Sequence, residues 1–119
     1  MSKEFIRTAT QEINEELSGI QHILNYCKNN SDLSANAGEI QKHTHKIKGL
    51  APMIDKEDLG LLSSLLDSIL QKIMKGEQLD DLLQLFTMSI SEMTTSMTSS
   101  NYDLKKIKKH VSQISSNIS

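Results

Sequence analysis

Apolar residues recur at three- and four-residue steps along almost the whole chain, the pattern of amphipathic helices. Ile6, Ala9, Ile13, Leu17, Ile20, Leu24 and Cys27 make the first stripe, with Glu4, Glu12, Glu15 and Glu16 on its polar side. The stripe breaks at Asn29-Asn30-Ser31-Asp32, residue types that cap helices and form turns. A first helix is therefore expected over about residues 3–28. A second, over about residues 34–54 with Ser34 as N-cap, carries Ile40, Thr44, Ile47, Ala51 and Ile54. Pro52 has no amide proton and kinks or ends it. Asp55 reads as the N-cap of a third helix, with Asp58 at N3. Leu59, Leu62, Leu66, Ile69 and Ile73 line that helix, and Lys75-Gly76 stops it. A fourth carries Leu79, Leu82, Leu83, Phe86, Ile90, Met93 and Met97, up to the polar break at Thr98-Ser99-Ser100-Asn101. From Asp103 on, Leu104, Ile107, Val111, Ile114 and Ile118 share one face, as a fifth helix packed loosely on the rest or as a linker.

Helices of about 18–26 residues with short connections specify an all-α fold, an antiparallel four-helix bundle with a fifth C-terminal helix. The chain, residues 1–119, reads as one domain, with a core over about 3–98 and an accessory helix or linker over about 103–118. Composition then removes function classes. Aromatics are 3% with no Trp, too few for base-stacking platforms or aromatic cages. A net charge of −2 argues against general nucleic-acid binding. A single cysteine, Cys27, excludes an internal disulfide framework and a Cys-rich zinc site. No apolar run reaches the roughly 20 residues that span a bilayer. The start, Met1-Ser2-Lys3-Glu4-Phe5, carries an acid and is unlike a secretory signal. The expectation is a cytoplasmic domain, monomeric in isolation, that binds neither nucleic acid nor membrane.

The candidate chemistry lies in Gln41-Lys42-His43-Thr44-His45-Lys46-Ile47-Lys48-Gly49-Leu50-Ala51-Pro52-Met53. With Ile47 at the centre of the buried side, His43 lies about 40° from that centre and His45 about 160° away. His43 is then a partly buried histidine with one hydrogen-bond partner, whereas His45 projects from the bundle among Gln41, Lys48, Gly49 and Pro52. Lys48, one turn on, brings an ammonium beside the ring. Gly49 removes every side-chain atom from the adjacent patch, although Gly in a helix interior costs roughly 1 kcal/mol relative to Ala. An accessible imidazole with a nearby cation suits phosphoryl transfer, where charge builds on three oxygens.

His45-Lys46-Ile47-Lys48-Gly49, followed by Leu50-Ala51, resembles the His-x-x-Lys-Gly signature of histidine-containing phosphotransfer domains. The likeness is greatest to the N-terminal phosphotransfer domain of chemotaxis-type histidine kinases. It covers helices two and three well and the remainder only by architecture. The resemblance implies that His45 is the phosphoryl acceptor, Lys48 the cation beside the phosphoryl oxygens, and Gly49 the gap admitting a partner. It also implies that Asp67, matching a family Glu or Gln, accepts from the other imidazole nitrogen of His45. Gly60, Ser64, Asp67 and Gln71 form a polar stripe on the third helix, and Gln41, Gly49, Ser64 and Gln71 are the expected docking residues. Ser64 stands where chemotaxis kinases often have a second histidine, and Asp55 where the family often has Gly. The implied partners are a response-regulator receiver domain and the ATP-binding domain of a histidine kinase. Those partner domains supply Mg and ATP, so the chain itself is expected to hold no cofactor and no metal and to have no independent kinase activity. Two uses stay open: a stand-alone phosphorelay intermediate, or the first domain of a larger kinase. Competing classes are a metal-binding bundle, for which Glu39 and His43 form an i, i+4 pair, and a helical interaction adaptor that is not phosphorylated. Met74, Met88, Met93 and Met97 read as fillers of core gaps.

Overall fold

Ser2 opens the first helix by accepting, through Oγ, the amide proton of Phe5 at 3.0 Å. The structure is a computed structural model that describes residues 2–118, all-α throughout. Helix α1 (Lys3–Tyr26) buries Ala9, Ile13, Leu17, Ile20 and Leu24, as its stripe predicts, and also Glu16, expected on the polar side although it lies three residues after Ile13 and four before Ile20, on the flank of the stripe. The expected break at residues 29–32 is instead a short helix, α2 (Asn30–Ala35). Its caps explain the difference. Asn29 Oδ1 accepts from the Asp32 amide at 2.9 Å, while Asp32 Oδ2 accepts from the Lys28 amide at 2.8 Å. Turn-forming side chains thus satisfy one helical turn, and Leu33 is buried as its plug.

Helix α3 (Ala37–Leu50) starts three residues after Ser34, so Ser34 is not its N-cap. Ile40, Thr44 and Ile47 are all fully buried. Pro52 ends the α-helix as expected, and the chain continues as a 3-10 turn (Ala51–Ile54). Asp55 closes that turn in the left-handed region at φ 61°, which Asp tolerates better than most residues. It therefore does not cap the next helix. Helix α4 (Glu57–Met74) follows Lys56 and ends before Gly76, whose φ of 102° suits only glycine.

Helix α5 (Leu82–Thr98) begins three residues later than its apolar pattern because its cap comes from elsewhere. Asn30 Oδ1 accepts from the Leu83 amide at 2.8 Å, tying α2 to the start of α5. Phe86, Ile90 and Met93 fill the core, while Met74 and Met88 are exposed, 47% and 42%, and so are not gap-fillers. Helices α1, α3, α4 and α5 form the bundle, with α3 and α4 the most extensive pair. Its radius of gyration is 13.8 Å, close to the roughly 13–14 Å of one compact domain this size.

Helix α6 (Lys105–Asn117) is not a linker. Leu104, Ile107 and Val111 are buried against the bundle, chiefly on α4. Lys108 pairs with Asp58 at 2.8 Å near one end. At the other, Lys72 donates to the Ser115 and Ile118 carbonyls at 3.1 and 3.0 Å, as a cation at a helix C-terminus should. Replacing Lys72→Ala is expected to destabilise the fold by about 1–2 kcal/mol and to raise amide exchange in α6 before the rest of the bundle. Uniform exchange across all helices would show that the clamp holds nothing locally.

Two buried serine hydroxyls, Ser63 and Ser89, have no hydrogen-bond partner among the described residues. An unpaired buried hydroxyl costs about 1–3 kcal/mol, and Ala is also the better helix former. Ser89→Ala is therefore expected to raise the thermal midpoint by several degrees, and a lowered midpoint would mean that a partner for the hydroxyl exists.

Candidate functional site

The α3–α4 hairpin keeps one register along its length. Met74 Sδ lies over Gly38, Thr44 meets Asp67, and the Pro52 ring packs on Gly60. By this register Lys48 lies opposite Ser64. At Gly60 an added methyl group would stand 3.1 Å from Pro52 Cγ and Cδ, so only a glycine lets the helices close this tightly. The outer side of the hairpin presents His45, Lys48 and Gly49, all exposed, with half-buried Gln41 and Ser64. Gln71 is exposed two helical turns further along α4. A methyl group at Gly49 would meet nothing within 4 Å outside its own helix. The ground beside His45 is therefore open, and the His45 ring forms no hydrogen bond among the described residues.

His43 points the other way, as its helical angle requires. Its Nδ1 is 2.7 Å from Glu16 Oε1, with the carboxylate almost buried between α1 and α3. An ionised carboxylate only accepts, so Nδ1 carries the proton in this pair. Lys46 Nζ lies 3.8 Å from the other oxygen, Glu16 Oε2. The ring lies flat over Gly19, where a methyl group would stand 2.6 Å from Cε1 and 3.0 Å from both ring nitrogens. Sequence reasoning gives His43 its single partner but misses Glu16 and Gly19 as the groups that hold it. The available signal was Gly19 itself, a glycine in a helix interior. With Nδ1 engaged by Glu16, His43 does not pair with Glu39, which bonds Lys42 at 3.0 Å. No three His, Cys, Asp or Glu side chains converge among the described residues.

Asp67 is where the structure departs from the expected site. It is 3% exposed, and its Oδ1 lies 3.2 Å from Thr44 Oγ1, not in hydrogen-bond reach of His45 among the described residues. The Thr44 hydroxyl also lies 3.1 Å from the Gln41 carbonyl, so one proton serves two acceptors. The geometry has a simple cause. Thr44 sits about 100° round the helix from His45, on the side facing α4, whereas His45 faces outward. The short aspartate meets the nearer of the two. Asp67 thus touches the residue before His45 and fixes the α3 backbone that carries it.

Cys27 donates its thiol to the Ile23 carbonyl at 3.4 Å, and burial, then the nearby Asp32 charge, raises its pKa. It is a poor nucleophile. No helix among the described residues is long and apolar enough to cross a membrane.

Comparison with models of known families, with curated proteins and with solved structures finds no match. The site is therefore read from its geometry. The two glycines give that geometry a test of sign. Gly49→Ala, in open space, is expected to stabilise by up to about 1 kcal/mol. Gly19→Ala is expected to destabilise by about 1 kcal/mol despite its better helix propensity, because it displaces His43 from Glu16. A Gly19→Ala melt that rises as the Gly49→Ala melt does would refute the close packing at Gly19.

Proposed function

We propose that this protein is a histidine phosphotransfer module of a two-component or phosphorelay pathway, with His45 as the phosphoryl acceptor. The observation that carries the reading is the His45 imidazole, exposed and without a hydrogen-bond partner among the described residues, on the outer side of the α3–α4 hairpin beside the open patch at Gly49. An imidazole nitrogen attacks the phosphorus of a kinase-bound ATP or of a receiver acyl phosphate. A P–N bond forms as the donor's P–O bond breaks, and the ring's other nitrogen releases its proton. In the onward step a receiver carboxylate attacks and the neutral imidazole leaves once that nitrogen is reprotonated. Lys48 balances charge on the phosphoryl oxygens. Gln41, Gly49, Ser64 and Gln71 surround the approach of the partner domain. Asp67 serves as a positioning residue through Thr44. Mg and ATP belong to the partner domains, and this chain would not be a kinase by itself.

Phosphorylation by a cognate kinase or acyl-phosphate donor is expected to give an acid-labile, base-stable label. His45→Gln should lose it and His43→Gln should keep it, with circular dichroism confirming that both fold. Label retained on His45→Gln would overturn the assignment, and no label on the native chain with any donor would leave a helical interaction adaptor. Lys48→Ala should slow transfer by roughly tenfold to a hundredfold, the rate equivalent of about 1–3 kcal/mol of charge-assisted contact. Gly49→Gln should block receiver docking while the thermal midpoint stays equal or rises. Normal docking of that variant would show that the open patch is not the approach.

A further inference from the structure

Helix α6 carries Lys105, Lys106, Lys108 and Lys109 and no acid, while all 15 carboxylates of the chain precede it. Only Lys108 of the four has a carboxylate partner among the described residues, Asp58. Lys105, Lys106 and Lys109 are exposed, and the first two lie about one turn before Lys109 on the same side. Beside them α4 and α6 enclose an open groove of about 450 Å³, lined by Leu61, Ser64, Leu65, Lys108, Lys109, Ser112 and Gln113. Leu61 is 53% exposed, although the leucines at 59, 62, 66 and 70 of the same helix are buried. An apolar floor with a basic rim, on an otherwise acidic protein, is a surface with a defined complement.

We propose that this groove binds an acidic amphipathic segment of a partner protein. Leucine-sized side chains of that segment seat over Leu61 and Leu65, and its carboxylates face Lys105, Lys106 and Lys109. The features of the groove favour this occupant over others. A second copy docked two-fold would set lysine row against lysine row. A membrane would need an apolar helix face, but Ile107 and Val111 of α6 are buried in the bundle, leaving mainly Leu61 to insert. The proposal does not depend on phosphorylation of His45, although Ser64, which lines the groove, belongs to the α4 side of that site.

The test uses the full chain, isotopically labelled, and a synthetic Glu/Leu amphipathic helical peptide of about 15 residues. A Lys/Leu peptide of equal length and phosphatidylserine vesicles serve as comparisons. Titration with the Glu/Leu peptide should shift the amide signals of Leu61, Leu65, Lys109 and Gln113, and added salt should weaken binding. Leu61→Asp should cut affinity at least about tenfold. Joint Lys105→Glu, Lys106→Glu and Lys109→Glu replacement should lose the Glu/Leu peptide and gain the Lys/Leu peptide. All these positions are exposed, so unchanged melting verifies the fold. Signals that move elsewhere, equal binding of both peptides, binding to vesicles alone, or peptide binding unaffected by Leu61→Asp would each overturn the proposal. So would self-association of the chain through this groove at the concentrations used.

Discussion

The packing of Pro52 on Gly60 is the contact on which the rest of the outer face depends. A proline ends α3 because it cannot donate to the carbonyl four residues back, and its ring then needs a flat surface. Gly60 provides that surface on α4. The hairpin can then close in one register, with Thr44 on Asp67 and Gly38 under Met74. Asp55 makes the reversal possible by taking a left-handed conformation. Shift that register by one residue and every side chain on α3 changes the neighbour it faces on α4. The exposed position of His45 is therefore a product of the turn some ten residues away.

The helices themselves were legible because a buried stripe repeats with the helical period, whatever the detailed packing. Ile40, Thr44, Ile47 and Ala51 are buried as that period requires. The ends were less legible, for a physical reason. Caps come from side chains that can serve either a turn or a helix start, and some come from distant parts of the chain. Asn30 caps α5 across more than fifty residues of sequence, which no local pattern can reveal. The same holds for Glu16. It stands three residues after Ile13 and four before Ile20, on the flank of the buried stripe, yet the partner that lets a carboxylate be buried there, His43, stands on another helix. Asp67 carries the opposite lesson: the pattern put it on the stripe facing α3, but not which of Thr44 and His45 it would meet. That choice turns on one methylene of reach and about 100° of helix rotation.

Charge is segregated in the same way as shape. Helix α6 itself carries no acid and adds a row of lysines along one edge, while Asp103 just before it is the last carboxylate side chain of the sequence. Three of the bonds that hold α6 are made by cations, one from Lys108 to Asp58 and two from Lys72 to the terminal carbonyls. The helix is thus fixed by polar contacts at both ends and by Ile107 and Val111 between them. That division leaves the ammonium groups of Lys105, Lys106 and Lys109 without a salt bridge among the described residues. Lysines that stabilise nothing inside the molecule remain available to act outside it.

The two histidines of α3 stand in opposite environments. Two residues apart, they differ by about 200° around the helix, so one must face inward when the other faces out. An inward imidazole is tolerated only with a partner, and Glu16 supplies it at 2.7 Å while Gly19 leaves room for the ring. That bond fixes the tautomer of His43 and joins α1 to α3. The outer ring, His45, is exposed and forms no hydrogen bond among the described residues. In the proposed phosphotransfer role, a ring held by no hydrogen bond among the described residues would gain and lose a phosphoryl group without breaking a bond of the bundle.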